Sequence, residues 1–173
     1  MPSPESPLLI VFAGLPATGK TTIARELTRR LAASYVRIDA IEQSLRAAGR
    51  PLDEMGYVIA NAIAGENLKL GRTVVADCVN PVLASRSGWR DTASKNAARL
   101  VEIELVCSDA AVHRQRAESR VPDISGHVLP TWNEVVNHTY EPWDRRPLVL
   151  DTATGSIGQL VDHIETFIRD KGP

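Results

Sequence analysis

Cysteine is scarce, net charge is almost absent and no long apolar run occurs, and each shortage removes a class of protein. Two cysteines, Cys78 and Cys107, stand in 173 residues, too few for a disulfide framework,. Neither belongs to a Cys-x-x-Cys or Cys/His ligand spacing. Both fall in segments that read as interior strands, so they are expected as buried thiols of a reducing compartment. The formal charge is -1, from 20 Lys plus Arg against 21 Asp plus Glu, so there is no global positive field to hold a duplex or an anionic membrane,. A local basic site stays open. No apolar run approaches the ~20 residues that span a bilayer, and no basic stretch followed by an apolar one reads as a signal peptide. A cytoplasmic protein with no membrane partner is therefore expected. Asn137-His-Thr139 fits the glycosylation pattern but carries little meaning without a secretion signal.

What is present suits one ordinary globular domain: 43% of residues are hydrophobic and 24% charged,. Residues 1–7, Met-Pro-Ser-Pro-Glu-Ser-Pro, read as a flexible tail, and 8–173 as a single domain,. Leu8 to Ala13 is a continuous apolar run, the mark of a strand buried on both sheet faces, and is the natural central strand. A helix follows over Thr21 to Ala33, with Ile23, Ala24, Leu27 and Leu31 at helical spacing. The alternation continues with a strand at Tyr35 to Ile38 closed by Asp39, a helix through Leu45, and a helix over Met55 to Leu70. A strand at Thr73 to Ala76 closed by Asp77 and a helix over Pro81 to Ala98 come next. Leu100 to Val106 reads as a strand, Ala110 to Arg120 as a basic helix, and Thr131 to Tyr140 as a helix. Pro147 to Leu150 is the last strand, closed by Asp151, and Ile157 to Ile168 the last helix. Five strands alternating with helices predict an α/β fold, a three-layer domain on a five-stranded parallel sheet. The stretch at about 110–130, a basic helix running into Pro122, Gly126 and Pro130, reads as a small helical lid.

Directly after the first strand stands Gly14-Leu-Pro-Ala17-Thr18-Gly19-Lys20-Thr21, a full G-x-x-x-x-G-K-[ST] match in the strand-loop-helix setting of a P-loop,. Glycines let the loop curl so that successive N–H groups converge on a β-phosphate at the positive end of the following helix. Gly14, Ala17, Thr18, Gly19, Lys20, Thr21 and Thr22 are thus candidates for holding ATP. Lys20 would bridge the β- and γ-phosphates, and the Thr21 hydroxyl would be a Mg²⁺ ligand. The four histidines, His113, His127, His138 and His163, show no ligand spacing, so no metal is expected beyond the magnesium carried by ATP.

Ligands in open α/β sheets bind beyond the carboxyl ends of the strands, and three of those ends carry an aspartate. Asp39 is the candidate general base, a carboxylate able to take the proton of an attacking hydroxyl; its bland reading is a cap for the next helix. Asp77 ends Val74-Val-Ala-Asp77, a Walker B-like form. The second acid that a hydrolytic ATPase commonly uses is replaced by Cys-Val-Asn80-Pro81, which leans towards transfer. Locally, Asp77 and Asn80 could equally bond only the turn before Pro81. Arg116 and Arg120 lie four apart on one helix face, and planar guanidinium groups clamp phosphate oxygens, so the lid is expected to supply them in cis; a merely solvated basic face is the alternative.

Together these pieces resemble the P-loop kinases of the nucleoside-monophosphate-kinase type, an AAA-domain kinase family. The likeness is strongest to the small branch with polynucleotide 5'-hydroxyl kinases, zeta toxins, chloramphenicol phosphotransferase and the adenylylsulfate and gluconate kinases. It covers Leu8 to Ile168 and is highly specific only at Gly14 to Thr22. The resemblance implies that Asp39 is the base, that Arg46 lies on the acceptor side, and that Asp77 and Asn80 form an Asp-x-x-Asn turn facing the acceptor. That turn leads into an arginine-rich helix carrying Arg86, Trp89 and Arg90. It further implies a basic lid matched by Arg114, Arg116 and Arg120, and an adenine site at Asp151-Thr152-Ala-Thr154-Gly155. The implied activity is ATP- and Mg²⁺-dependent phosphoryl transfer to a hydroxyl of a small molecule. A nucleic-acid 5'-hydroxyl is the second acceptor class, disfavoured because no line of Lys and Arg tracks a strand. Trp132 and Trp143 match no acceptor motif and read as packing residues or as walls of a private acceptor pocket. A nucleotide switch is the reading from another class. Its Asn-Lys-x-Asp motif is missing, and its Asp-x-x-Gly match, Asp123 to Gly126, falls in the lid and is set aside as coincidence. The sequence does not name the acceptor or the oligomeric state.

Overall fold

The computed structural model describes residues 6–52 and 54–170. Residues 1–5 of the expected tail lie outside that range. Pro7 already belongs to the domain, its carbonyl accepting the Arg99 N–H at 2.8 Å. The chain runs β1 (Leu8–Ala13), α1 (Lys20–Arg30), β2 (Ser34–Arg37), α2 (Ile38–Ala47), α3 (Met55–Lys69) and β3 (Val74–Asp77). It continues through α4 (Leu83–Lys95), β4 (Arg99–Val106), α5 (Ala110–Ser119), α6 (Trp132–Val136), β5 (Leu148–Asp151) and α7 (Ile157–Asp170).

All five strands are parallel in the order β2-β3-β1-β4-β5, the three-layer α/β sheet with β1 at its centre. All six residues of β1 are buried, which is why its sequence shows no polar alternation,. Its side chains still alternate between two cores. Leu8, Ile10 and Phe12 pack with Ile23 and Leu27 of α1 and Leu160, Val161 and Ile164 of α7. Leu9 and Val11 face Ala60, Ala64 and Leu68 of α3 and Trp89 and Ala93 of α4 on the other side. The chain leaves β1 towards β2 on one side, and later strands add beyond β4 on the other. The topological switch point, and the crevice it opens, is therefore at the carboxyl end of β1. Among the described residues no helix is long and apolar enough to cross a membrane.

Several boundaries differ from the sequence reading. β2 stops at Arg37, so Asp39 does not close a strand but sits in the first turn of α2, where the helix dipole favours a carboxylate,. It is not a cap: the capping position is Arg37, with no side-chain bond. α4 begins at Leu83, because Asn80 takes a left-handed φ of 51° and carries Pro81 into a turn instead of a helix. The expected helix over Thr131 to Tyr140 is only α6, closed in front by a Thr131/Glu134 capping box,. After it the chain drops back to α4, with Glu141 N–H bonded to Pro81 O at 2.8 Å and its carboxylate to Leu83 N–H at 2.6 Å. The thiols lie just past strands, not inside them: Cys78 is buried after β3, and Cys107 is half-exposed after β4.

Candidate active site

The loop after β1 owes its shape to three residues with positive φ. Gly14 has φ 126°, and a Cβ there would lie 2.2 Å from Leu105 O, so only glycine fits,. Ala17 at φ 65° and Gly19 at φ 94° complete the curl and aim the start of α1 into the crevice. Thr18 holds the loop from beneath, its hydroxyl donating to Leu15 O at 2.9 Å. Lys20 is only 7% exposed and donates from Nζ to the same carbonyl at 2.7 Å. Burial pushes the Lys20 pKa down from its ordinary value, while the charges of Asp77 and Asp39 pull it up,. An ammonium held this way, over a loop of convergent N–H groups, is a ready partner for a polyphosphate.

A cavity of about 710 Å³ opens in front of this loop. On one flank the β5–α7 turn supplies Thr152 and Gly155 and the start of α7 supplies Ile157 and Leu160, a largely apolar shelf. Thr152 ties that shelf to the P-loop, its hydroxyl donating to Thr18 O at 2.8 Å and accepting from Arg116 Nη1 at 2.8 Å. Arg116 Nη2 also donates to Thr152 O at 3.0 Å. Behind, His113 Nε2 meets Pro16 O at 2.8 Å, and the His113 ring packs edge-on against Trp132 with centroids 5.1 Å apart.

On the opposite flank acidic and basic groups converge. Asp77 is 3% exposed and accepts the Tyr35 hydroxyl at 2.7 Å. Burial raises the Tyr35 pKa well above the usual phenol range, so it remains a donor. Arg37, at the end of β2, reaches Asp39 Oδ2 from Nη2 at 3.3 Å and lies 3.8 Å from Asp77. It also pairs through both terminal nitrogens with Asp123 from the segment after α5, at 2.7 Å and 3.1 Å. Arg25 of α1 joins Asp123 at 2.5 Å. Arg120 lines the same space, yet its buried Nε and Nη2 have no partner. Burial lowers its pKa, opposed by Asp39 and Asp123.

Of the sequence candidates, the cavity brings together Ala17, Gly19, Lys20, Thr21, Thr22, Asp39, Asp77, Arg116, Arg120 and Thr152. Gly14 and Thr18 shape the loop without lining the cavity. Three candidates lie apart. Arg46 is exposed on α2 and bonds Gln43 at 3.0 Å. Thr154 is exposed, its hydroxyl turned to Asp151 O at 3.2 Å. Asn80 is fully buried outside the lining, its carbonyl accepting Arg86 Nε at 3.1 Å and its N–H meeting the Tyr57 oxygen at 3.0 Å.

The arginine-rich helix has a structural task. Arg86 is fully buried, donates to the carbonyls of Asn80, Pro81, Glu141 and Pro142, and stacks on Trp143 at 4.1 Å. Arg90 pairs with Glu102 and Asp144. Arg114 bonds Glu118 on the exposed face of α5. Asp151 caps its own turn by accepting the Ser108 and Ala153 N–H groups, each at 3.0 Å. Trp132 and Trp143 therefore pack on His113 and Arg86; neither lines the cavity.

Sequence reasoning missed Arg25, Arg37 and Asp123. Arg37 carried the one usable signal, a cation two residues before Asp39 at a strand end. Asp123 carried none, since its neighbours in space are 86 and 98 residues away in sequence.

This is the fold of the P-loop kinases. APS kinase of Mycobacterium tuberculosis, solved with AMPPNP and APS, superposes with a TM-score of 0.73 at 16% identity over 96% of this chain and 99% of that one. A gluconokinase from Sinorhizobium meliloti 1021 gives 0.64 at 18% identity, covering 98% and 99% of the two chains. Kti12 of Chaetomium thermophilum, solved with ADP-AlF3, gives 0.67 at 21% identity, covering 91% and 97%. A search of curated proteins finds no match. A family model described as an AAA domain matches residues 9–137, and the chain belongs to that family.

Proposed function

We propose that the chain is an ATP- and Mg²⁺-dependent phosphotransferase that moves the γ-phosphate of ATP to a hydroxyl of a small-molecule acceptor. The observation that carries this reading is a single cavity joining two sets of groups. The P-loop, Lys20 and Thr21 line it together with the Asp39 carboxylate, which is oriented by Arg37. Lys20 leaves Leu15 O to neutralise charge between the β- and γ-phosphates. Asp39 accepts the proton of the acceptor hydroxyl as its oxygen bonds to the γ-phosphorus, and the bond to the β–γ bridging oxygen breaks, releasing ADP.

Arg120, half-buried with its buried Nε and Nη2 unpartnered, is the lid arginine assigned to the transferred group. Arg116 serves the nucleotide side by fixing the Thr152 shelf, against which the base lies. Thr21, with the Asp77 carboxylate in the same cavity, offers the hard oxygen donors that magnesium takes alongside phosphate oxygens,. Bound magnesium would neutralise charge on the phosphates. The likeness to an APS kinase solved with AMPPNP and to Kti12 solved with ADP-AlF3 supports the nucleotide. The reading includes a cytoplasmic location, consistent with two free thiols,.

The test is ATP consumption with ³¹P NMR and mass detection of products, across hydroxylated metabolites, antibiotics, nucleosides and a 5'-hydroxyl oligonucleotide. A phosphorylated small molecule, lost in Asp39→Asn, is the expected result. ADP and free phosphate as the sole products across the panel would favour a hydrolytic ATPase instead.

A further inference from the structure

One wall of the cavity carries a carboxylate set on two arginines, since Arg25, Arg37 and Asp123 all line it. Asp123 binds Arg37 bidentately at 2.7 Å and 3.1 Å and takes a third bond from Arg25 at 2.5 Å. Two guanidinium groups, one used as a fork, converging on one small oxyanion make the geometry by which proteins hold phosphate, sulfate or carboxylate groups.

The two sides of this contact differ in how firmly they are held. The Arg37 side chain is 9% exposed, stands on the last residue of β2, and is braced by Asp39 at 3.3 Å and Asp77 at 3.8 Å. Asp123 is 41% exposed on an irregular segment, where Val121 and Val128 are 84% and 78% exposed. Lifting that segment strips a nearly buried guanidinium of its closest carboxylate, which is costly unless another anion arrives,. Arg37 Nη2 touches both Asp123 and Asp39, so an anion seated in place of the Asp123 carboxylate lies one guanidinium away from the base.

We propose that the acceptor is an anionic alcohol. It carries a phosphate, sulfate or carboxylate group that takes the place of the Asp123 carboxylate on Arg37 and Arg25, setting its hydroxyl beside Asp39. Asp123 is thus an internal stand-in for the substrate's anion, holding the lid over the acceptor end until the true anion displaces it. The inference rests on the phosphotransferase reading for the role of the hydroxyl; the anion subsite itself is testable by binding.

The P-loop would also take a free anion, so it is first saturated with Mg·AMPPNP, and inorganic phosphate or sulfate is then titrated in by calorimetry. Asp123→Asn, checked for folding by circular dichroism alongside the milder Asp123→Ser, is expected to bind the anion at least ten-fold more tightly than the parent chain. Adding Arg37→Gln to Asp123→Asn is expected to remove that gain. In turnover assays on matched alcohols with and without an anionic group, only the anionic members are expected to be phosphorylated. Free phosphate, sulfate and carboxylate arms separate the three anion types. Equal anion affinity in the parent and both Asp123 variants, a gain that survives loss of Arg37, or equal turnover of the neutral alcohols would each overturn the proposal. If Mg·AMPPNP does not bind, the phosphotransferase reading falls and the acceptor assignment with it. If it binds and the anion titration fails, only the acceptor assignment falls.

Discussion

The two ends of the cavity are built by opposite means. At the phosphate end the recognition surface is backbone, curled by Gly14, Ala17 and Gly19 within one uninterrupted strand-loop-helix segment. At the end proposed for the acceptor it is side chains, with Arg25 from α1, Arg37 from the end of β2, Asp39 from α2 and Asp123 from the segment after α5. A backbone anion site tolerates almost no local substitution, because it depends on φ angles and close approaches. A side-chain site can be rewritten residue by residue while the fold stands. Phosphate binding should accordingly be the rigid property of this molecule and acceptor choice the adjustable one.

Substitutions can break that contrast. The largest effect is expected at the phosphate end from Gly14→Ala, which sets a Cβ against Leu105 O and a side chain at φ 126°. Loss of more than about 3 kcal/mol of stability, together with loss of nucleotide binding, should appear in thermal melts with and without AMPPNP. At the acceptor end, Asp39→Asn should leave nucleotide affinity and melting temperature near those of the parent while turnover falls roughly 10²–10⁴-fold. A drop in nucleotide affinity instead would show that the two ends are not separable.

Next in size is Arg86→Met, which tests whether the arginines of α4 belong to the site or to the scaffold. It removes four carbonyl partners and the Trp143 stack, and should cost about 3 kcal/mol, or roughly 10 °C in melting temperature,. Acceptor selectivity should not change. Smaller still is the split between the lid arginines. Arg120→Ala should lower turnover by about ten- to a hundred-fold with little change in stability, because no bond is lost,. Arg116→Ala should mainly raise the KM for ATP by loosening Thr152.

The smallest effect concerns pH. Arg37 and Arg25 hold the Asp123 carboxyl well below the usual range, so its contribution is present above the ordinary value of 3.8 and lost as pH falls through the folded-state value,. Asp123→Asn should therefore leave the pH dependence of stability unchanged near neutrality and flatten only the acid limb of the melting curve.

Legibility in the sequence follows the same division. The central strand, the P-loop and the five-strand alternation were readable because each rests on contiguous residues: an apolar run, a spaced glycine pair, a repeat of strand and helix. Where reading failed, a distant contact had decided the local structure. Helix α6 stops short because Glu141 is called back to Pro81 and Leu83. The resemblance implies an arginine-rich helix after the third strand but not its task, and Arg86 and Arg90 bind the 141–144 segment that crosses them. Arg46 was a candidate by resemblance alone, and on α2 it bonds Gln43 and does not line the cavity.

The sequence alone determined that a nucleotide-binding P-loop stands at the end of a buried central strand, since local φ preferences and a run of apolar residues suffice to build both. Only the tertiary structure decided which charges meet at the other end. Arg25, Arg37 and Asp123 come together because the strand order 2-3-1-4-5 and the path of the lid bring three separate segments over one crevice. Electrostatic convergence is a property of where chains end in space, and no spacing along the chain encodes it.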